Sequence, residues 1–415
     1  MRRLFFRSLR IWVLSFLALF AVDFLAAQDP VAGMPEIRSQ AAVLMDATTG
    51  TFLYVKNGDE EIPPASLAKL MTIHIALNEV AQGRAALDEV VDLPRESWAV
   101  NQPPRSSLMD LAPGQIVTLR DLLLGLAIFS GNDAAVAVAL RFAPSVAAFA
   151  EQMNAEAQSM GLLKTHFVEP SGVSEDNRTT AVEFALFCRE YLTLHPETLE
   201  DYHSVREFAF PRAENLPERY RSAPRTRVQY NHNTFLRAFP GTDGLKTGYI
   251  DESGHNIAIT TEREGTRFIA VILGAPAIYR GDRIRDEDGM KLLTWGFEQY
   301  HTLRPTLDTL APVRVWKGKE NLVEIIPAEA LPFTALRDRG ANMRWEMELP
   351  EPLLAPLSEG LFVGTLVLYD ELGELRRIPL ITTQDIEKGG FFKRLWDTLV
   401  LFFQSLEKKS PGSSP

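Results

Sequence analysis

The chain has 415 residues, 46% of them hydrophobic, a formal net charge of −11 and a single cysteine, Cys188. That length exceeds one ordinary core, so two domains are expected. The acidic balance argues against nucleic acid, which needs a basic face. One cysteine excludes an internal disulfide and a cysteine-rich metal site, and in Leu186-Phe187-Cys188 it reads as a small core residue.

Residues 1–27 read as a secretory signal. Arg2, Arg3, Arg7 and Arg10 precede an apolar stretch, Ile11 to Ala26, that is broken only by Asp23 and ends before Gln28-Asp29-Pro30. Leu25 stands where a small residue is usual, which keeps an uncleaved anchor open as the alternative. No cysteine follows the stretch, so a lipoprotein is excluded. Ala41 to Asp46 and Thr51 to Asn57 predict a hairpin around Ala47-Thr48-Thr49-Gly50.

After Pro63-Pro64 an apolar run, Leu70 to Leu77, predicts a helix that stops at Gly83. Ser66 and Lys69 stand three residues apart at its start, on one face and within reach of each other. A serine hydroxyl is a poor nucleophile until a base takes its proton. A buried lysine near a second cation has its pKa lowered enough to be that base. His74, within the run, reads as a core histidine, because no second histidine stands at metal spacing.

Residues 96–109 read as a polar loop. Thr118 and Asp121 form a capping box opening a helix over Leu119 to Ile128. That helix stops at Ser130-Gly131-Asn132, and another, Asp133 to Phe142, follows at once and breaks at Pro144. Ser130 and Asn132 therefore sit on a tight turn, a rigid place to present polar groups. Ser145 to Met160 reads as an amphipathic helix, and Thr180 with Glu183 as a second capping box for a helix ending at Leu194. Strands follow at Leu245 to Ile250, Asn256 to Thr261 and Arg267 to Leu273, the last two joined at Glu264-Gly265; a helix from about Glu287 to Tyr300 closes the unit. Helices in mid-chain with strands on either side predict an α+β fold, one antiparallel sheet covered by helices, over residues 35–300.

Beyond Arg304-Pro305 the pattern changes to short strands, Val313 to Trp316, Leu322 to Ile326, Met343 to Leu349 and Phe362 to Tyr369. They predict a small all-β domain over residues 305–387. Residues 388–409 carry an amphipathic helix. At ~100° per residue Lys393, Arg394, Asp397, Gln404 and Ser405 share one sector, opposite the phenylalanines, Leu395, Trp396, Leu399 and Leu406. Flanked by Lys388, Lys408 and Lys409, it has the composition of a helix lying in the plane of a membrane surface, and it is too short and too charged to span. Residues 410–415 read as a disordered tail.

S-x-x-K alone is a chance-level match, and Ser405-Leu406-Glu407-Lys408 also fits it. Ser66 is singled out by Ser130-Gly131-Asn132 and Lys246-Thr247-Gly248, which complete a S-x-x-K, S-[DG]-N, K-T-G set. In these motifs the chain resembles the D-alanyl-D-alanine carboxypeptidases of the low-molecular-mass penicillin-binding proteins. The resemblance implies an exported enzyme on the periplasmic face of the cytoplasmic membrane, with no metal or cofactor. It would remove the terminal D-alanine of the peptidoglycan stem pentapeptide through an acyl-enzyme at Ser66, and β-lactams would acylate the same serine.

Ser66 is then the nucleophile, Lys69 the base and Ser130 the hydroxyl that returns a proton to the leaving amine. Asn132 holds the substrate amide, Lys246 and Thr247 take its carboxylate, and Gly248 admits its backbone. The backbone N–H groups of Ser66 and Tyr249 are the implied oxyanion donors. The family's carboxylate-binding arginine maps to Arg285, with Arg283 close enough to stay in contention. The alternatives are a β-lactamase and a non-turnover β-lactam receptor or cell-wall scaffold. Glu169, where the family more often has asparagine, bears on the first, because class A β-lactamases deacylate with a glutamate in this part of the chain. Pro170 and Gly172 make a turn there, and Val173 cannot hold a water. Glu169 is therefore expected to face solvent or a surface partner, and Glu169→Gln to change turnover by no more than a few-fold.

Overall fold

Every residue of strand β1 (Ala41–Asp46) is buried, because both of its faces are covered. Side chains alternate across a strand. Ala41, Val43 and Met45 point into one core; Ala42 and Leu44 point into a second. A computed structural model describes residues 33–407 except 279, 308, 309 and 351, so the expected signal and the expected tail lie outside the described residues.

β1 pairs with β2 (Phe52–Lys56) as the predicted hairpin. Helix α1 (Lys69–Ala81) follows a short helical turn, Ala65–Ala68, and Gly83 ends it with a φ of 70°. α2 (Leu119–Leu124) begins with the complete capping box of Thr118 and Asp121. α3 (Asn132–Phe142), α4 (Val146–Ser159) and α5 (Ala181–Leu194) complete this layer. At α5 Thr180 caps as expected, accepting from the Glu183 N–H. The Glu183 carboxylate does not close the box; it accepts instead from Lys164 N–H at 2.8 Å and the Thr165 hydroxyl at 2.6 Å.

A small hairpin, β3 (Glu207–Phe210) and β4 (Arg227–Tyr230), and one helical turn, α6 (Phe235–Ala238), lead to β5 (Thr242–Ile250), β6 (Gly254–Arg263) and β7 (Thr266–Ala275). The main sheet is antiparallel with order β2-β1-β7-β6-β5, which leaves β5, the strand of Lys246-Thr247-Gly248, at an edge. Helices α1 to α5 cover one face. The other is covered by α7 (Gly281–Gln299), whose Leu292, Leu293, Trp295 and Phe297 pack on Ala42, Leu44, Phe268 and Ile272. α7 starts at Gly281 rather than near Glu287. Its first turns are polar and lack the apolar periodicity that marks a helix in sequence.

The second unit is built from β8 (Tyr300–Leu303), β9 (Val313–Trp316), β10 (Leu322–Val323), β11 (Ile325–Pro327), β12 (Phe333–Leu336), β13 (Arg344–Glu348), β14 (Leu353–Leu354), β15 (Phe362–Asp370) and β16 (Gly373–Thr382). Its own apolar core includes Val315, Leu366, Leu368, Ile378 and Leu380. β16 carries Arg376, Arg377 and Pro379, poor strand signals, yet lies between β11 and β15, where pairing overrides propensity. A buried carboxylate joins the units: Asp46 accepts from the hydroxyls of Thr302 at 2.7 Å and Thr334 at 2.8 Å.

Helix α8 (Phe391–Glu407) matches the expected amphipathic segment. Its polar side is turned partly inward. Asp397 is only 2% exposed, accepts from the Lys317 N–H at 2.6 Å and pairs with Lys393 at 2.5 Å. Its apolar residues face outward, with Phe392 83% and Trp396 67% exposed. Among the described residues no single helix is long and apolar enough to cross a membrane.

Candidate active site

The cleft lies between the edge strand β5, the start of α1, and the turn joining α2 to α3. Each wall is set by a local constraint. Ala65 adopts a left-handed φ of 50° and Ser130 one of 57°, conformations that L-residues avoid and that the surrounding packing must hold. β5 passes so close to the nucleophile that a Cβ on Gly248 would lie 2.9 Å from Ser66 N and 3.0 Å from Pro64 O; only glycine fits there. On the opposite side Asp133, fully buried, accepts from Met109 N–H at 2.8 Å and Leu111 N–H at 3.0 Å, which ties the rim loop down onto α3.

The structure brings the two motif lysines and their serines together. Lys69 Nζ lies 2.9 Å from Ser66 Oγ and 2.8 Å from Asn132 Oδ1, and it also donates to the carbonyl of Ser171. As a neutral amine it has two N–H bonds and one lone pair. Asn132 Oδ1 and Ser171 O can only accept, so they take the N–H bonds and leave the lone pair for the Ser66 hydroxyl. Burial pushes Lys69 down to about 7, against the opposing pull of the Glu169 and Asp133 carboxylates. Ser130 Oγ is bonded to Lys246 Nζ at 3.0 Å, and not to Lys69. Lys246 is held well below an ordinary lysine by burial, by Lys69 and by Arg285. Asn132 Nδ2 donates to Ser106 Oγ at 3.1 Å, which fixes the amide's orientation.

The other expected residues are distributed as follows. Thr247, Gly248 and Tyr249 line the cleft, the Tyr249 ring stacking on His255 at 4.4 Å and its hydroxyl donating to Asp251 at 2.6 Å. Arg285 also lines the cleft, with a side chain 7% exposed and braced by Asp286 at 2.6 Å. Arg283, one residue before the intervening Ile284, is 67% exposed and pairs with Glu287. Ser405, the chance match, lies on α8 and outside the cleft.

Glu169 departs from expectation. It turns neither to solvent nor to a surface partner but into its own turn, accepting from Ser171 N–H at 2.7 Å, Ser171 Oγ at 2.5 Å, Ser174 N–H at 3.3 Å and Asn177 Nδ2 at 2.7 Å. His232 also lines the cleft, pushed down to about 4 by burial and by the charges of Lys246, Arg285 and Lys69. It stands in a loop with no motif around it, so nothing in the sequence marked it. His74 is fully buried and bonded to Glu156 at 2.9 Å and to His195 at 3.1 Å, a partner that the sequence places far away on the end of α5.

Known proteins resemble this chain in sequence and fold. The family model described as D-alanyl-D-alanine carboxypeptidase matches residues 27–277, and that of the penicillin-binding protein 5 C-terminal domain matches residues 299–388. The chain is 34% identical to D-alanyl-D-alanine carboxypeptidase DacC of Escherichia coli (strain K12), over 94% of each chain. Penicillin binding protein 5 from Haemophilus influenzae superposes with a TM-score of 0.73 at 28% identity, covering 87% of this chain and all of that one. The ampicillin-bound penicillin-binding protein D2 of Listeria monocytogenes superposes at 0.53 with 30% identity, covering 63% of this chain and 100% of its own. Motifs, fold and relatives agree: the chain belongs to the D-alanyl-D-alanine carboxypeptidase family of serine hydrolases.

Proposed function

We propose that this chain removes the terminal D-alanine from peptidoglycan stem pentapeptides, with Ser66 as nucleophile and Lys69 as base. The observation that carries the reading is the contact of Lys69 Nζ with Ser66 Oγ at 2.9 Å beside two partners that can only accept, which in the neutral amine leaves its lone pair for the Ser66 hydroxyl. Lys69 takes the Ser66 proton as Oγ attacks the carbonyl of the penultimate D-alanine. The backbone N–H groups of Ser66 and Tyr249 stabilise the oxyanion, beside the close approach of β5 at Gly248. Ser130, held by Lys246, gives its hydroxyl proton to the departing amine as the C–N bond breaks and takes in exchange the proton that Lys69 gained, which leaves Lys69 neutral for the next step. Asn132 orients the scissile amide, while Lys246, Thr247 and Arg285 hold the terminal carboxylate. Water then hydrolyses the ester, again with Lys69 as base. A penicillin enters the same cleft and acylates Ser66, a reading supported by the Listeria relative's ampicillin-bound form.

The reading places the enzyme outside the cytoplasmic membrane, exported by residues 1–27 and held at the membrane surface by α8. The outward apolar side of α8 supports this, since such a face partitions into the interfacial region of a bilayer. The catalytic domain is proposed to span residues 35–300 and the β domain residues 305–387. The four donors on Glu169 weigh against a β-lactamase, because they occupy the lone pairs a hydrolytic water would need. The test is mass spectrometry of a pentapeptide digest. Loss of one D-alanine by the unaltered protein, absent in Ser66→Ala and retained in Ser405→Ala, is expected; an intact pentapeptide after a penicillin-reactive preparation has been incubated with it refutes the carboxypeptidase reading.

A further inference from the structure

The carbonyl that orients Lys69 belongs to a turn far away in sequence, and that turn has an organiser. Residues 170–172 press on the catalytic segment at three successive points. Thr72 Oγ1 donates to Pro170 O at 2.7 Å, Lys69 Nζ donates to Ser171 O, and Gly172 abuts the Ala65 carbonyl so closely that a Cβ there would lie 1.8 Å from it. Behind the turn stands Glu169. Four donors converge on its two oxygens, from Ser171 N–H, Ser171 Oγ, Ser174 N–H and Asn177 Nδ2. A carboxylate is acceptor-only and satisfies all of them; an amide would set its own NH₂ against part of the set.

We infer that Glu169 is a positioning residue for acylation: its carboxylate holds the 170–172 turn so that Ser171 O aims the Lys69 lone pair at Ser66, and its charge lies behind the base. The inference rests on the reading of Lys69 as that base. The charged and titratable groups facing Lys69 are Glu169 from its turn, Asp133 from α3, Lys246 from β5 and His232 from the loop before α6. Burial lowers Lys69 most, and the two carboxylates pull it back toward the ammonium form, so Glu169 bears on the pH at which the base becomes available as well as on where it points.

The test measures the rate of penicillin acylation against pH on the full chain, for Glu169→Gln, Asn177→Ala and the unaltered protein, with thermal melting as the check on folding. In place of the few-fold change that the sequence suggested, Glu169→Gln should acylate ~10–10²-fold more slowly, the scale of ångström-level misplacement of a catalytic group. Its acidic limb should move to lower pH, because a charge favouring the ammonium is gone. Asn177→Ala loosens the same turn but keeps the carboxylate, so it should slow acylation without moving the limb. A Glu169→Gln protein with lowered melting temperature but unaltered rate and limb overturns the inference. So does normal acylation followed by a longer-lived penicilloyl complex, which would make Glu169 a deacylation base. If Glu169→Gln does not fold, Asn177→Ala decides, and an unaltered rate there overturns the inference. Lys69→Ala separates the two layers. Acylation retained in Lys69→Ala removes the base reading itself, whereas its loss alongside an unaffected Glu169→Gln removes only the role of Glu169.

Discussion

Replacing Gly172 by alanine tests how tightly the nucleophile segment is held. The added methyl would lie 1.8 Å from Ala65 O, 2.3 Å from Ala65 C and 2.9 Å from Ser66 N. Ordinary contact begins near 3.4 Å, so the turn or the Ala65 peptide must retreat by about 1.6 Å. Either motion damages the site: one displaces Ser66, the other withdraws the Ser171 carbonyl from Lys69. A misplacement of about 1 Å costs on the order of 10²-fold in rate. The substitution also forces alanine to a φ of +80°, and strain plus overpacking together amount to ~2–5 kcal/mol of stability. Gly161→Ala is the control, because its φ is +75° but nothing stands within 4 Å of the new methyl. It should lose ~1–2 kcal/mol by denaturant unfolding and acylate at the unaltered rate. Fluorescent-penicillin labelling, run where circular dichroism shows both variants folded, gives the rates. Labelling of Gly172→Ala within about threefold of the unaltered protein would mean that the turn is soft, and the argument from close contact would fail.

The remaining expectations concern pH, the carboxylate and the membrane. Only neutral Lys69 accepts a proton, and burial sets it at about 7, so acylation should climb as pH rises through about 7 and fade below it; a limb near the ordinary 10.5 would refute the buried-base assignment. Burial and its cationic neighbours lower Lys246, so KM for the peptide should rise with pH before the ordinary lysine range is reached; a KM that stays flat up to that range would refute its role in holding the carboxylate. Arg285→Ala should raise KM for a peptide with a free terminal carboxylate by ~10–10²-fold, with Arg283→Ala within about twofold of normal; the same loss on a C-terminally amidated peptide would show that the carboxylate is not its partner. A chain truncated after Glu387 should keep penicillin labelling and stop sedimenting with anionic liposomes, from which detergent should release the full chain better than salt; equal sedimentation of both forms would exclude α8 as the anchor.

What the sequence could determine alone was whatever depends on spacing within a turn or two. Ser66 and Lys69 meet because three residues of helical backbone bring them to one face. The Thr118 capping box, the Glu264-Gly265 hairpin and the amphipathic α8 are likewise local geometry written in neighbouring residues. The three motifs together identified the family, while the edge position of β5 came from the pairing of the sheet. Tertiary structure decided the rest, because it depends on how segments far apart pack. Which of Arg285 and Arg283 lines the cleft is a matter of rotation about α7, set by how Leu292, Leu293 and Phe297 seat that helix on the sheet. His232 reaches the cleft, His74 meets His195 and Glu183 leaves its capping box for Lys164 through contacts that no local pattern encodes. Asp397, which the helical wheel places on the water side of α8, is instead taken by a backbone N–H of the β domain. The third partner of Lys69 is the clearest instance. It is a backbone carbonyl, the same on every residue, and its identity as Ser171 follows only from a glycine that lets two distant chains touch and a carboxylate that fills the turn behind them.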